Sequence, residues 1–327
     1  MPGFTTHYII GMKSYNDLPP NQLKFIIAKY RWLYQLGVQG PDIFFYNVPV
    51  LRHRDYRNVG SYMHEHHVSD FFRCCLNHLA AIPSRQQREQ GIAYLAGFFC
   101  HYIGDYICHP FVYGRIQYDP KKPTTHAHGL HALLENDLDA LLLAHYKKKK
   151  PSQFNQAATI CLNGLETQFI SRFLAECINE TYYPLNYRNN YQVTARMVHR
   201  SILAMRFGCR TLADPMGKKK TWVSRVESLF LENPIASQKL VTDEVENPRE
   251  SLNLSHRIWT NPWNTSLASS ASFPELFRQC LGKCNMVYYY LNTVITKDGL
   301  LEEGFSALLE ELGNYSYHSG LSVIDLF

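Results

Sequence analysis

The chain has 327 residues, 46% of them hydrophobic, 19% charged, with a formal net charge of +5. That much apolar matter builds a real core and excludes a disordered chain. No stretch approaches the roughly 20 apolar residues of a transmembrane span, and the start, MPGFTTHYIIGMKSYNDL, lacks the pattern of a secretory signal. Nine cysteines, with Cys74 beside Cys75, do not read as a disulfide framework. A reducing, cytoplasmic address is the expectation. The lysine runs Lys147–Lys150 and Lys218–Lys220 read as solvated loops, with attraction of phosphates or an anionic membrane as the lesser reading.

In chain order, Asn21 is a cap and Leu23, Ile26, Ile27, Tyr30, Leu33 and Tyr34 recur at helical spacing up to Gly37, which predicts one amphipathic helix. A Gly-Pro turn then leads to Asp42 and a run of aromatics. Residues 60–81 predict a second helix, with His64 near its first turn. Residues 86–112 predict a third, in which Pro110 signals a stop or kink. Thr124 or Thr125 caps a fourth over 126–146. Beyond Lys150 the periodicity predicts helices over 154–180, 192–213 and 221–232, a polar surface loop over 243–255, a helix start at Ser272 or Pro274, and helices over 276–295 and 301–312. No alternating strand pattern of useful length appears, so the fold class expected is all-α. The organisation expected is a metal-binding core over 1–150 with a helical continuation over 151–327 packed on it, the alternative being one domain.

Fifteen histidines are present, eleven of them within the first 131 positions. Within the apolar run Ala93–Val112, His101, Asp105 and His109 recur every fourth residue and therefore share one side of a helix. His131 and Glu135 repeat that spacing. An isolated polar residue on such a helix is most simply a hydrogen-bonded core group. Three in register call for a compensating cation, because an unpaired buried charge is very costly. Two imidazoles and a carboxylate suit zinc. The full candidate set is His7, Asp42, His64, His101, Asp105, His109, His131 and Glu135. That exceeds one catalytic zinc and suits two or three ions hydrolysing a phosphoester with metal-activated water.

The segments THYIIG, LGVQGPDIFFY, GSYMHEHHVSDFF, GFFCHYIGDYICHPF and HALLENDLD resemble, in order and style, the bacterial zinc-dependent phospholipase C family, and the chain looks like a cytoplasmic, unsecreted member. The resemblance is strong over the first half and thins after position 150. It implies a trinuclear zinc site in an all-helical domain. Asp42, His64, His101 and Asp105 would hold one ion, with Asp105 shared to a second. His109, His131 and Glu135 would hold another, and His7 would serve the third. Asp42 would double as a catalytic base. Two departures stand out. The third ion of secreted members also takes an amino-terminal tryptophan amine, whereas this sequence opens MPGFT, leaving Pro2, water or nothing for that role. Asp105 and His109 are also closer together than in secreted members. His66, His67, His126 and His128 read as exposed or outer groups, with Glu65 and Asp70 as their carboxylate partners. Trp259 and Trp263 read as core residues, or as the walls of a choline-like pocket. The substrate implied is a phospholipid or other phosphodiester. No specific nucleic acid is expected, although fungal single-strand-specific zinc nucleases share the design. The alternative from another class is a metal-stabilised scaffold without turnover.

Overall fold

A computed structural model describes residues 3–46, 58–184, 191–211, 218, 219, 222 and 242–323. Pro2 and nearly all of the expected helix 221–232 lie outside these residues. The α-helices are α1 (Phe4–Asp17), α2 (Gln22–Lys29), α3 (Arg31–Gly37), α4 (Val59–Glu65), α5 (Val68–Ala81), α6 (Arg85–Arg115), α7 (Thr125–Lys147), α8 (Gly164–Tyr182), α9 (Ala195–Thr211), α10 (Phe273–Val294) and α11 (Phe305–Leu312). A 3₁₀ helix, Gly40–Tyr46, carries Asp42, and Pro248–Ser251 forms a single turn. Among the described residues the fold is all-α apart from one hairpin, β1 (Trp259–Asn261) and β2 (Asn264–Ser269), which pairs Trp259 with Ser269 and Thr260 with Ala268. Sequence patterning misses the hairpin because three strand residues are too few to show alternation and β2 is mostly exposed.

Everything packs around α6, which is 31 residues long and buried on almost every side from Arg88 to Val112. Ser84 caps it through the Gln87 amide. It continues through Pro110 to Arg115, so the helix does not stop there. Proline removes the bond to the carbonyl of Tyr106, and Gly320 occupies the space beside that carbonyl. Phe71, Phe72, Phe98, Phe99 and Tyr102 form an interlocked aromatic block where α5 crosses α6. Along the same helix α3 approaches so closely that a Cβ on Gly37 would strike the Tyr94 carbonyl, and one on Gly97 would strike that of Tyr34.

Two expected helices are each broken. The first breaks at Tyr30 (φ −117°, ψ 43°), which lets α3 lie on α6 while Leu23 at the start of α2 donates its amide to Asn292 of α10. The second breaks at His66 and His67, the latter in the left-handed region at φ 48°. This separates α4, which carries His64, from α5. The helix expected from Phe154 begins only at Gly164, where Asn163 and Glu166 form a reciprocal capping box. The stretch expected as a polar loop over 243–255 contains a fully buried residue, Asn253, whose amide donates to the carbonyls of Arg257 and Ala271.

The amino-terminal segment, given no element in the sequence reading, is α1. Its helix start is capped from a distance. The Asp139 carboxylate on α7 accepts the amides of Thr5 and Thr6 at 2.9 and 2.7 Å and the Thr6 hydroxyl at 2.7 Å. Gly3 allows this approach, since a Cβ there would collide with that carboxylate. The cap sets α1 in place, and His7 follows one residue later.

Candidate metal centre

Five elements converge: α1 brings His7, the 3₁₀ helix Asp42, α4 His64, α6 His101, Asp105 and His109, and α7 His131 and Glu135. His7, His64, His101, Asp105 and His109 have no exposed surface, and Asp42 retains 6%. Asp105 is at the centre. Its Oδ1 lies 3.1 Å from His7 Nε2, and its Oδ2 lies 3.1 Å from His101 Nε2 and 3.5 Å from His64 Nε2. Asp42 Oδ1 is 3.4 Å from His64 Nε2 and 3.6 Å from His101 Nε2. Across the site, Glu135 Oε1 lies 2.7 Å from His131 Nε2 and 3.7 Å from His109 Nε2. Two donor groups result, Asp42–His64–His101–Asp105 and His109–His131–Glu135, each with its donor atoms mutually within 4.8 Å. All eight residues singled out by sequence are thus brought together. The shorter spacing between Asp105 and His109 still leaves both on the same side of α6.

Backbone carbonyls fix which nitrogen each histidine presents. His64 Nδ1 donates to the Gly60 carbonyl at 2.6 Å, His101 Nδ1 to that of Val38 at 3.3 Å, and His109 Nδ1 to that of Tyr317 at 2.6 Å. In each case Nε2 is left turned into the site, the outer arrangement typical of ligating imidazoles. Gly40 (φ +48°) makes the turn before Asp42, and a Cβ there would strike the His101 ring. His7 stacks on His101 with ring centroids 4.0 Å apart.

The electrostatics favour a cation. Burial would raise the Asp105 carboxyl, yet the charges of His101, His109 and His7 outweigh it and hold it well below the usual range. Burial keeps His131 low, and with the neighbouring His7 charge keeps His101 low. It pushes His109 down to about 3. For His64 burial is overridden by Asp105 and Asp42, which push it up to about 9. Neutral His101, His109 and His131 beside an ionised Asp105 are in the protonation states that metal binding requires, whereas His64 would give up its proton on binding. His64 Nε2, His101 Nε2, His109 Nε2, both nitrogens of His7, both oxygens of Asp105 and Asp42 Oδ1 are buried without a hydrogen-bond partner. Such atoms are costly to bury unless something coordinates them. The donor set fits zinc.

The segment that closes the site stands out little in the sequence. Tyr317 donates its amide to the His64 carbonyl at 3.0 Å while its own carbonyl receives His109, so one residue ties α4 to α6. His318 stacks on His64 at 5.2 Å and reaches Glu65 Oε1 with Nδ1 at 3.3 Å. Asn261 in the hairpin donates to the Ser319 carbonyl at 2.7 Å. The only sequence signal was a histidine in a polar stretch far from the other candidates. His66, His126 and His128 contribute no donor to either group, and His67 pairs with Asp70 at 3.3 Å. Glu65 serves His318. Trp259 is core, packed on Phe111 with its Nε1 donating to Ala271. Trp263 instead stands against Tyr113, which packs on His131 at 4.5 Å.

A helical chain whose histidines and carboxylates converge in this way, with the Nε2 atoms of His64, His101 and His109 and both Asp105 oxygens buried and not hydrogen-bonded, defines a class, the multi-histidine metal-centre proteins. A match to the family described as zinc dependent phospholipase C spans residues 6–186, more than half of the chain and all eight donors. The chain belongs to that family, which supports a zinc-dependent phospholipase or phosphodiesterase. No curated protein and no solved structure matches the sequence. Among the described residues no helix is long and apolar enough to cross a membrane.

Proposed function

We propose that the chain is a phosphodiester hydrolase of phospholipase C type with two or three zinc ions. One would be held by Asp42, His64, His101 and Asp105 and one by His109, His131 and Glu135, with His7 and the second oxygen of Asp105 providing for a third. The observation that carries this reading is Asp105, fully buried, with four imidazoles within 3.7 Å and neither oxygen hydrogen-bonded. Zinc ions bound there would polarise phosphoryl oxygens and make water acidic enough to ionise near neutral pH. The protein supplies the rest. The carbonyls of Gly60, Val38 and Tyr317 hold the imidazoles in one tautomer. Asp42 is the carboxylate of its group that keeps some exposure, and it is placed to take a proton from an attacking water. Tyr113 and Trp263 form an aromatic wall beside His131, suited to the cationic end of a headgroup.

The test compares metal-replete protein on a chromogenic phosphocholine ester, a bis-aryl phosphate and single-stranded DNA. Chelator-sensitive release from the phosphocholine ester, lost in His101→Ala, is expected. Preference for DNA would shift the reading to a nuclease. No release from any substrate, with His101→Ala indistinguishable from wild type, would leave a scaffold.

A further inference from the structure

A second set of metal-type donors lies outside the centre described above and shares no residue with it. We propose that Cys74, His78 and Cys177 form a separate site for a thiophilic divalent cation such as zinc, clamping α5 to α8. Cys74 and His78 are one turn apart on α5, Cys177 faces them from α8, and their donor atoms lie mutually within 4.8 Å. Tetrahedral zinc with sulfur and nitrogen ligands separates donors by roughly 3.5–3.8 Å, so small side-chain adjustments suffice. Both thiols are buried, with Cys177 entirely so, and both are reduced. Glu180, one turn after Cys177, meets His78 Nε2 at 2.7 Å and orients that imidazole as outer carboxylates do in zinc sites.

One ligand of the site borders a cleft. His78 lines an open cleft of about 410 Å³ together with Gln87, Arg172 and Glu176, so the imidazole of the site is within reach of an ion from solvent. The donor types separate the two sites chemically, since imidazoles and carboxylates make up the first and thiolates dominate the second. Binding exchanges two S–H bonds for two metal–sulfur bonds and releases two protons to solvent.

The test is titration of the reduced, zinc-loaded full chain with Cd²⁺, followed by thiolate-to-cadmium charge-transfer absorption in the ultraviolet. Wild type should develop the band at one Cd²⁺ per chain. Cys74→Ser/Cys177→Ser should lose it while hydrolysing phosphodiester at the wild-type rate, and Cys161→Ser, which alters the exposed thiol, should keep it. If the double variant fails to fold, His78→Ala, at a partly exposed position, should weaken Cd²⁺ uptake by at least ~10-fold. Absence of the band in reduced wild type, its persistence in the double variant or unchanged uptake by His78→Ala would overturn the site. So would thiol counting that finds Cys74 and Cys177 joined in a disulfide in freshly purified protein.

Discussion

At the scale of single residues the account turns on Asp105. If its four imidazoles were only hydrogen-bonding partners, removing its charge would cost stability but leave the metal content unchanged. If it binds metal, the change removes a ligand. Asp105→Asn is therefore expected to reduce zinc per chain and to lower kcat/KM by at least ~10²-fold. Metal analysis and kinetics on the same preparation check this. Gly40→Ala is a purely geometric probe, because it adds one methyl group in the left-handed region against the His101 ring. It should cost about 1–2 kcal/mol from backbone strain alone and more from the collision, with zinc content falling alongside the thermal midpoint. Asp139 gives a pH prediction. Burial outweighs the hydrogen bonds from Thr6 and Thr5 and pushes its carboxyl from 3.8 up to about 6. Between pH 4 and 6 the folded chain keeps a proton that the unfolded chain has released, so this contribution to stability, up to about 3 kcal/mol, is present below pH 4 and lost as pH rises through 6. Denaturation of wild type and Asp139→Asn across that window should show wild type losing stability relative to the variant, with the offset becoming constant above pH 6.

The donor residues were legible at this scale because spacing of four on a helix is a local property. His101, Asp105, His109, His131 and Glu135 announce themselves without knowledge of the fold. Tyr317 does not, since it acts through its backbone carbonyl, which every residue has. Asp139 was hidden for a similar reason, because it looks like the polar face of α7 and caps a helix more than 130 residues away.

At the scale of elements, α6 was found but its end was misjudged. A proline inside a helix removes one backbone bond and crowds the carbonyl one turn back, and here the segment around Gly320 packs beside that carbonyl. Gly320→Ala is expected to push that segment away, since its Cβ would lie 2.5 Å from the Tyr106 oxygen at a φ of +63°. Tyr317 would then release His109, and hydrolysis should fall by ~10-fold or more with α6 intact by circular dichroism. The two broken helices have one cause. Helical periodicity continues through Tyr30 and through His66 and His67, while tertiary packing demands a change of direction that no local signal encodes.

At the scale of the molecule, elements from both halves of the chain meet at the centre. The family match covers residues 6–186, while Tyr317 and His318 arrive from the carboxy-terminal part. Metal held by groups this dispersed is coupled to folding. Chelation should lower stability by about 4 kcal/mol for an ion present at a thousand times its Kd, measured as a drop in thermal midpoint that zinc restores. The most direct measurement is anomalous scattering at the zinc edge from crystals of the natively metallated protein. The account predicts peaks within coordination distance of Asp42, His64, His101 and Asp105, and of His109, His131 and Glu135. Crystals of zinc-replete protein with no peak at either group would contradict it.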